Sequence, residues 1–253
     1  MKSLFCRFDK NLFFLKLIVD IGNSRIKLAL FKNKNLIQHA IISDLTEAKL
    51  YNFCGEKKIK SSIFSSVRAL SNKDKKIIKI YGGFLINKNT PLPIKSNYQS
   101  NIGADRISAV VAASYLYPNR NIWVFDAGTC LTADYIDKNK NYDGGRITLG
   151  LEMRYKALSD YTSELPKLSL NNKSYFKGKT TETSIISGVQ QGIIAEVKML
   201  ISDFKKYNDD FIVLFTGGDA AFFEKELKSS IFADQFLVLK GLNEILDYNA
   251  DFK

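Results

Sequence analysis

The 253-residue chain is poor in the groups that most enzyme chemistry leans on. Its three cysteines, Cys6, Cys54 and Cys130, are far apart, odd in number and form no C-x-x-C pair, so nothing points to zinc or dithiol chemistry. A reducing compartment, the cytoplasm, is the natural setting. There is a single histidine, His39, inside the apolar strand-like run Leu36–Ile42, where a structural role fits best. No Gly-x4-Gly-Lys-Ser/Thr segment occurs, which argues against a P-loop nucleotide site. The apolar run Leu12–Val19 is too short to span a membrane: Lys16 interrupts it and Asp20 ends it, well short of the roughly 20 residues required. Lys2, Arg7 and Lys10 precede that run as in a signal peptide, but no small-residue cleavage site follows. Leu17–Val19 therefore reads as a buried first strand, with residues 1–14 a short leader.

Arginine is also scarce. Of 37 basic residues only 7 are Arg, and the lysines are spread along the chain beside abundant Asn and Ile. The net charge of +11 would suit nucleic acid, anionic small substrates or compositional bias; bias explains most of it, and nucleic acid is not expected as a partner. The informative arginines are Arg25, Arg106, Arg146 and Arg154, each within or beside a motif. With 45% hydrophobic and 25% charged residues the chain is an ordinary folded protein, long enough for one large domain or two small ones sharing a cleft.

What is present is a repeat. Leu-Ile-Val-Asp20-Ile-Gly-Asn-Ser is followed by a second apolar strand and the tetrapeptide Lys-Asn-Lys-Asn. Ile-Trp-Val-Phe-Asp126-Ala-Gly-Thr is followed by another such strand and the same tetrapeptide, which begins twelve residues after the aspartate in both copies. Each hairpin leads into a third strand and then alternating helices and strands, giving the order β-β-β-α-β-α-β-α twice. In the second copy this order places a strand at Gly145–Thr148, a long helix from Thr181, a strand at Phe236–Leu239 and a last helix from Gly241. Two α/β domains are expected, each a mixed β-sheet flanked by helices, with a cleft between them. The polar turn Pro118–Asn121 reads as their boundary, giving halves 15–118 and 119–253.

Polyphosphate binding asks for backbone N–H donors at close range, positive charge and a carboxylate to organise a metal ion. In Asp20-Ile21-Gly22-Asn23-Ser24 the glycine permits a sharp turn, and Asn23 and Ser24 offer bonds to phosphate or metal-bound water; Lys27 follows on the outgoing strand. Alone, Asp-x-Gly-Asn reads more readily as a plain hairpin turn. Its recurrence in Asp126-Ala127-Gly128-Thr129, at matching register after a buried strand, shifts the reading to a phosphate cleft.

Asn101-Ile102-Gly103-Ala104-Asp105-Arg106 opens an apolar helix whose N-terminus suits an anion. Asp105 reads equally as a base toward a hydroxyl and as a capping residue, while Arg106 would clamp a carboxylate or a transferring phosphoryl group. The paired glycines of Asp143-Gly144-Gly145-Arg146 suggest a closely approached backbone or a β-turn before a strand. Thr216-Gly217-Gly218-Asp219 suggests an adenine or ribose contact, or only a strand-to-helix turn.

Taken in order, Asp-Ile-Gly-Asn-Ser-x-x-Lys (20–27), Gly-Ala-Asp-Arg (103–106), Asp-Ala-Gly-Thr-x-x-Thr-x-Asp (126–134), Gly-Gly-x-Ile (144–147) and Thr-Gly-Gly (216–218) resemble type III pantothenate kinase from about residue 17 to the C-terminus. The resemblance implies two ribonuclease H-like, actin-like ATPase domains and transfer of the ATP γ-phosphoryl group to the 4′-hydroxyl of pantothenate, toward coenzyme A. It implies that Asp20, Ile21, Gly22, Asn23, Ser24, Arg25, Ile26 and Lys27 bind ATP with Mg²⁺, and that Thr129 touches ATP. It makes Asp105 the proton acceptor, puts Tyr98, Gly103, Ala104, Asp105, Arg106 and Thr181 at the pantothenate site, and gives Asp126 a monovalent cation, K⁺ or NH₄⁺. A homodimer is implied too.

Thr181, opening the long helix, has N-capping as its plainer role. Two departures stand out. Leu149 replaces a common Pro, which loosens a turn beside the substrate region, and Ser24 replaces the commoner Thr but keeps the hydroxyl. A regulatory relative without activity, or a kinase of another hydroxyl acceptor, is the alternative. The intact Asp20, Lys27, Asp105, Arg106 and Asp126 favour an active kinase over the first.

Overall fold

The computed structural model describes residues 14–207, 210–227 and 231–250, so the proposed leader lies outside them apart from Phe14. β1 (Leu15–Ile21) and β2 (Ile26–Lys32) form an antiparallel hairpin, and β3 (Asn35–Ile42) returns beside β2 through a turn in which Asn33 takes φ 54°. Asn tolerates that left-handed conformation better than most residues, which suits it to a tight hairpin turn. α1 (Glu47–Cys54) starts at Thr46, whose side chain accepts a hydrogen bond from the Lys49 amide. α2 (Asn72–Ile80) starts at a reciprocal capping box between Ser71 and Asp74. β4 (Ile59–Ser66) and β5 (Phe84–Leu85) extend the sheet in parallel to β1, giving the order β3-β2-β1-β4-β5. Leu17, Val19, Ile21, Leu28 and Leu30 face Leu50, Phe53 and Ile77 of the two helices in one apolar cluster.

The second unit holds β6 (Lys95–Ser96), α3 (Ala104–Leu116), β7 (Asn121–Ala127), β8 (Cys130–Ile136), β9 (Asn141–Leu149), α4 (Leu151–Asp160), α5 (Thr181–Tyr207), β10 (Phe211–Thr216), α6 (Ala220–Leu227), β11 (Phe232–Ala233) and α7 (Leu237–Ala250). Its sheet order is β11-β10-β7-β8-β9-β6. Read from β9 to β11 this is the β3-β2-β1-β4-β5 order again, so the repeat seen in the sequence is a repeat of topology. One sheet face carries Phe125, Ala127, Leu131, Ala133 and Phe215, buried with residues of α4, α5 and α6. α3 and α7 pack on each other, and α3 also packs on β7 and β8.

Two expectations change. The chain divides between Ile86 and Asn87, not near Pro118–Asn121. The reason is α3: every residue from Arg106 to Ser114 is buried, and the helix packs tightly on α7. The fit needs Gly241, where a Cβ would stand 1.7 Å from the Ser108 carbonyl oxygen. A polar turn in the sequence marks an element boundary, but the packing of the preceding helix decides which unit owns it.

The strand expected at Phe236–Leu239 is the entry to α7. Asp234 accepts hydrogen bonds from the Phe236 amide through its side chain and from the Leu237 amide through its carbonyl, turning the chain into a helix. A short apolar run fits either element, and this local hydrogen bonding selects the helix. Among the described residues α5 is long and apolar enough to cross a membrane, but half of its most apolar stretch is buried inside the fold.

Candidate active site

Asp20 lies one residue from the end of β1 and is buried. Cross-strand register sets it opposite Lys27 of β2 and Ser65 of β4, and the Ser65 hydroxyl donates to its Oδ1 at 2.8 Å. Side chains in register on neighbouring strands share a face, so Lys27, Asp20 and Ser65 form one polar row across the sheet. The turn beyond is tight: the Gly22 amide bonds the Arg25 carbonyl, and a Cβ on Gly22 would lie 2.7 Å from that oxygen. Asn23, Ser24 and Arg25 are exposed at its tip, whereas Ile21 and Ile26 are buried and anchor it.

The second hairpin repeats this pattern. Asp126 lies one residue from the end of β7, opposite Thr132 of β8 and Thr216 of β10. The hydroxyl oxygens of Thr132 and Thr216 are buried without a hydrogen-bond partner. Two such oxygens beside a carboxylate are a donor set that a hard cation accepts. The turn carrying Thr129 is enclosed by backbone: Cβ atoms on Gly150 and Gly217 would stand 2.2 Å and 2.3 Å from the Gly128 and Ala127 carbonyl oxygens, and Gly217 has φ +94°. The second would also meet Asp126 Oδ1 at 2.5 Å, so Gly217 is required for the strand ends to close around the aspartate. Thr216-Gly217-Gly218 therefore has a structural duty next to Asp126, whatever ligand it meets.

At the start of α3, Gly103 is the N-cap residue and Asp105 stands in the first turn. The Asp105 carboxylate accepts from the Arg106 amide at 2.8 Å and lies so close to Gly103 that a Cβ there would be 2.5 Å from it.

Arg106 is buried and its Nε and Nη2 both donate to Asp134 of β8, Nε at 3.1 Å and 3.0 Å to the two carboxylate oxygens. Its Nη1 donates to the Tyr98 hydroxyl at 3.4 Å, and the guanidinium carbon lies 5.4 Å from the Tyr98 ring centre. Burial alone would lower the Arg106 pKa, but the hydrogen bonds and charge of Asp134 outweigh it and hold the guanidinium firmly protonated. Arg106 lowers the Tyr98 pKa by hydrogen bond and charge. Tyr142 donates to Asp134 Oδ1 at 2.7 Å, and burial together with that carboxylate raises its pKa.

The paired glycines belong to this group. Cβ atoms on Gly144, which has φ +105°, and on Gly145 would meet the Tyr98 ring at 3.2 Å and Asp134 Oδ1 at 2.7 Å. The groups that approach this backbone are the protein's own.

Thr181 is exposed on the first turn of α5. The capping role falls to its neighbour, since the Thr180 hydroxyl accepts from the Thr183 amide and the Thr183 hydroxyl accepts from the Thr180 amide. Leu149 is exposed, and its turn is held by the Arg154 Nε donating to the Leu149 carbonyl at 2.9 Å and the Gly150 amide to Thr129 at 3.2 Å. Ser65, Tyr142 and the role of Asp134 escaped the sequence. A signal for Asp134 existed, because an aspartate in an apolar strand requires a buried cation and Arg106 is the arginine of the neighbouring motif.

No group of three or more His, Cys, Asp or Glu able to hold a metal occurs among the described residues.

The model of the type III pantothenate kinase family matches residues 16–203. A type III pantothenate kinase of Phocaeicola vulgatus is 41% identical over 239 residues, covering 93% of this chain and 99% of its own. That of Flavobacterium psychrophilum is 36% identical over 238 residues, covering 92% and 98%. Among solved structures, a Campylobacter jejuni protein assigned to the Baf family of transcriptional activators aligns with TM-score 0.61 at 23% identity over 93% of this chain and 99% of that one. The ADPNP-bound activator of 2-hydroxyisocaproyl-CoA dehydratase from Clostridium difficile aligns with TM-score 0.53 at 15% identity over 94% and 95%. These likenesses carry the fold alone, which is that of the actin-like ATPases and sugar kinases. The duplicated sheets, the acidic hairpins and the match over most of the chain lead to one conclusion: the chain belongs to the type III pantothenate kinase family.

Proposed function

We propose that the protein transfers the γ-phosphoryl group of ATP to the 4′-hydroxyl of pantothenate, the first step toward coenzyme A. The observation that carries this reading is the complete motif set in a family member, with Asp20 and Asp126 at equivalent strand ends and Asp105 on the first turn of α3. Asp105 accepts the proton of the hydroxyl as its oxygen attacks the γ-phosphorus. The bond from that phosphorus to the β-phosphate oxygen breaks, and ADP leaves. Phosphoryl transfer asks mainly for positioning and charge neutralisation, which explains why a chain with one histidine suffices.

In this reading Asp20 to Lys27 and Thr129 hold ATP with Mg²⁺. Asp126, with Thr132 and Thr216 beside it, holds K⁺ or NH₄⁺. A bound monovalent ion supplies positive charge near the polyphosphate. Tyr98, Gly103 to Arg106 and Thr181 form the pantothenate site, and the protein works as a cytoplasmic homodimer.

The test is ADP release by the purified protein with pantothenate, with and without Mg²⁺ and K⁺. Turnover that needs pantothenate and a divalent ion and rises with K⁺ is expected. ADP release indifferent to pantothenate would refute the assignment.

A further inference from the structure

The Arg106–Asp134 pair holds two groups that the proposed chemistry uses only in part. Asp134 is buried on β8, Arg106 is buried on α3, and both Nε and Nη2 of the guanidinium are spent on the Asp134 carboxylate. A guanidinium has five N–H donors. The fork formed by Nε–H and one Nη2–H belongs to Asp134, and one Nη1–H goes to the Tyr98 hydroxyl. One N–H on each of Nη1 and Nη2 is left over, and the end-on edge shared by these two nitrogens has the shape of a second fork matched to a carboxylate.

Asp134 is fixed in turn. Tyr142 donates to its Oδ1, and the missing side chain of Gly145 leaves room for that oxygen. Tyr98 sits against Gly144 and 6.0 Å from the Tyr142 ring centre, so the same backbone turn of β9 seats both partners of the arginine.

We infer that Asp134, oriented by Tyr142, is the positioning residue that locks the Arg106 guanidinium in one plane with its end-on edge left for the carboxylate of the acceptor substrate. The inference rests on the pantothenate reading, since the acceptor must carry a carboxylate. An arginine on a flexible stem would otherwise lose rotamer freedom each time substrate bound; the Asp134 fork removes that loss beforehand. Asp134 touches neither reacting atom, so its contribution is to acceptor binding and not to bond making.

The experiment is steady-state kinetics of wild type, Asp134→Asn, Tyr142→Phe, Arg106→Lys and the Asp134→Asn/Arg106→Lys double variant, with pantothenate and ATP varied separately and thermal unfolding followed in parallel. Asp134→Asn keeps the shape and removes the charge. It is expected to raise the pantothenate KM by about 10- to 100-fold, the range of one charge-assisted hydrogen bond, with the ATP KM and kcat within about threefold. Tyr142→Phe is expected to raise the pantothenate KM by about threefold. The double variant is expected to be no worse than its worse parent, because both changes act through one group.

An unchanged pantothenate KM in folded Asp134→Asn overturns the inference, as do KM values for both substrates rising together or strictly additive effects. If Asp134→Asn does not fold, Tyr142→Phe decides, and an unchanged pantothenate KM there counts against the inference. Wild-type protein that does not turn over pantothenate overturns the functional reading and this inference with it. Active wild type with insensitive variants overturns the inference alone.

Discussion

Asp20 and Asp126 occupy the same place in their two sheets: each is the penultimate residue of the central strand, with an antiparallel hairpin partner on one side and a parallel strand on the other. The partners differ. Asp20 is flanked by Lys27 and Ser65, Asp126 by Thr132 and Thr216. A lysine stands in register with the first carboxylate and neutral hydroxyls with the second. One duplicated scaffold thus offers two chemically distinct acidic loops.

Asp105→Asn keeps the first turn of α3 and removes the carboxylate proposed as the base. Turnover should fall by about 10²- to 10⁴-fold with the circular dichroism spectrum unchanged. Near-normal kcat would show that Asp105 serves the helix start only.

Lys27→Ala removes the cation that stands opposite Asp20. The ATP KM should rise by about 10-fold or more while the pantothenate KM stays near its wild-type value, the loss of a charge-assisted contact to phosphate. Equal ATP saturation curves for the two proteins would place the lysine outside the nucleotide site.

Gly217→Ala forces a Cβ to within 2.3 Å of the Ala127 carbonyl oxygen at φ +94°. Denaturant unfolding should show a loss of more than about 1 kcal/mol, and stimulation by K⁺ should weaken because Asp126 Oδ1 is displaced. Gly218, where a Cβ meets nothing, is the control: Gly218→Ala should change stability by no more than about 0.5 kcal/mol.

Asp74 tests the electrostatics of the first unit. Burial pushes its carboxyl up, but hydrogen bonds from Arg68 and Ser71 outweigh this and leave its pKa below the ordinary 3.8. A carboxyl lowered in the folded state stabilises above its unfolded pKa, and that stabilisation is lost as pH falls through the lower folded value. Asp74→Asn should therefore cost about 1 kcal/mol at pH 7, and the gap in unfolding free energy should close as pH falls below 3.8. A gap independent of pH would mean that the charge of Asp74 is irrelevant to the cap.

The sequence by itself determined the duplicated α/β order, the two acidic hairpins and the helix start at Gly103, because these are local: strand periodicity, turn residues and caps act within a few residues of chain. It also determined the family, through residues spaced too regularly to be chance turns. Tertiary structure alone decided that α3 belongs with the second sheet, since the choice rests on Ser108 meeting Gly241 across 133 positions of chain. It alone joined Arg106 to Asp134, whereas the helix entry at Phe236–Leu239 and the Thr180 cap of α5 rest on local hydrogen bonds that the apolar pattern does not record. A buried arginine must find its counter-charge wherever packing brings one, and no local pattern records which carboxylate that will be.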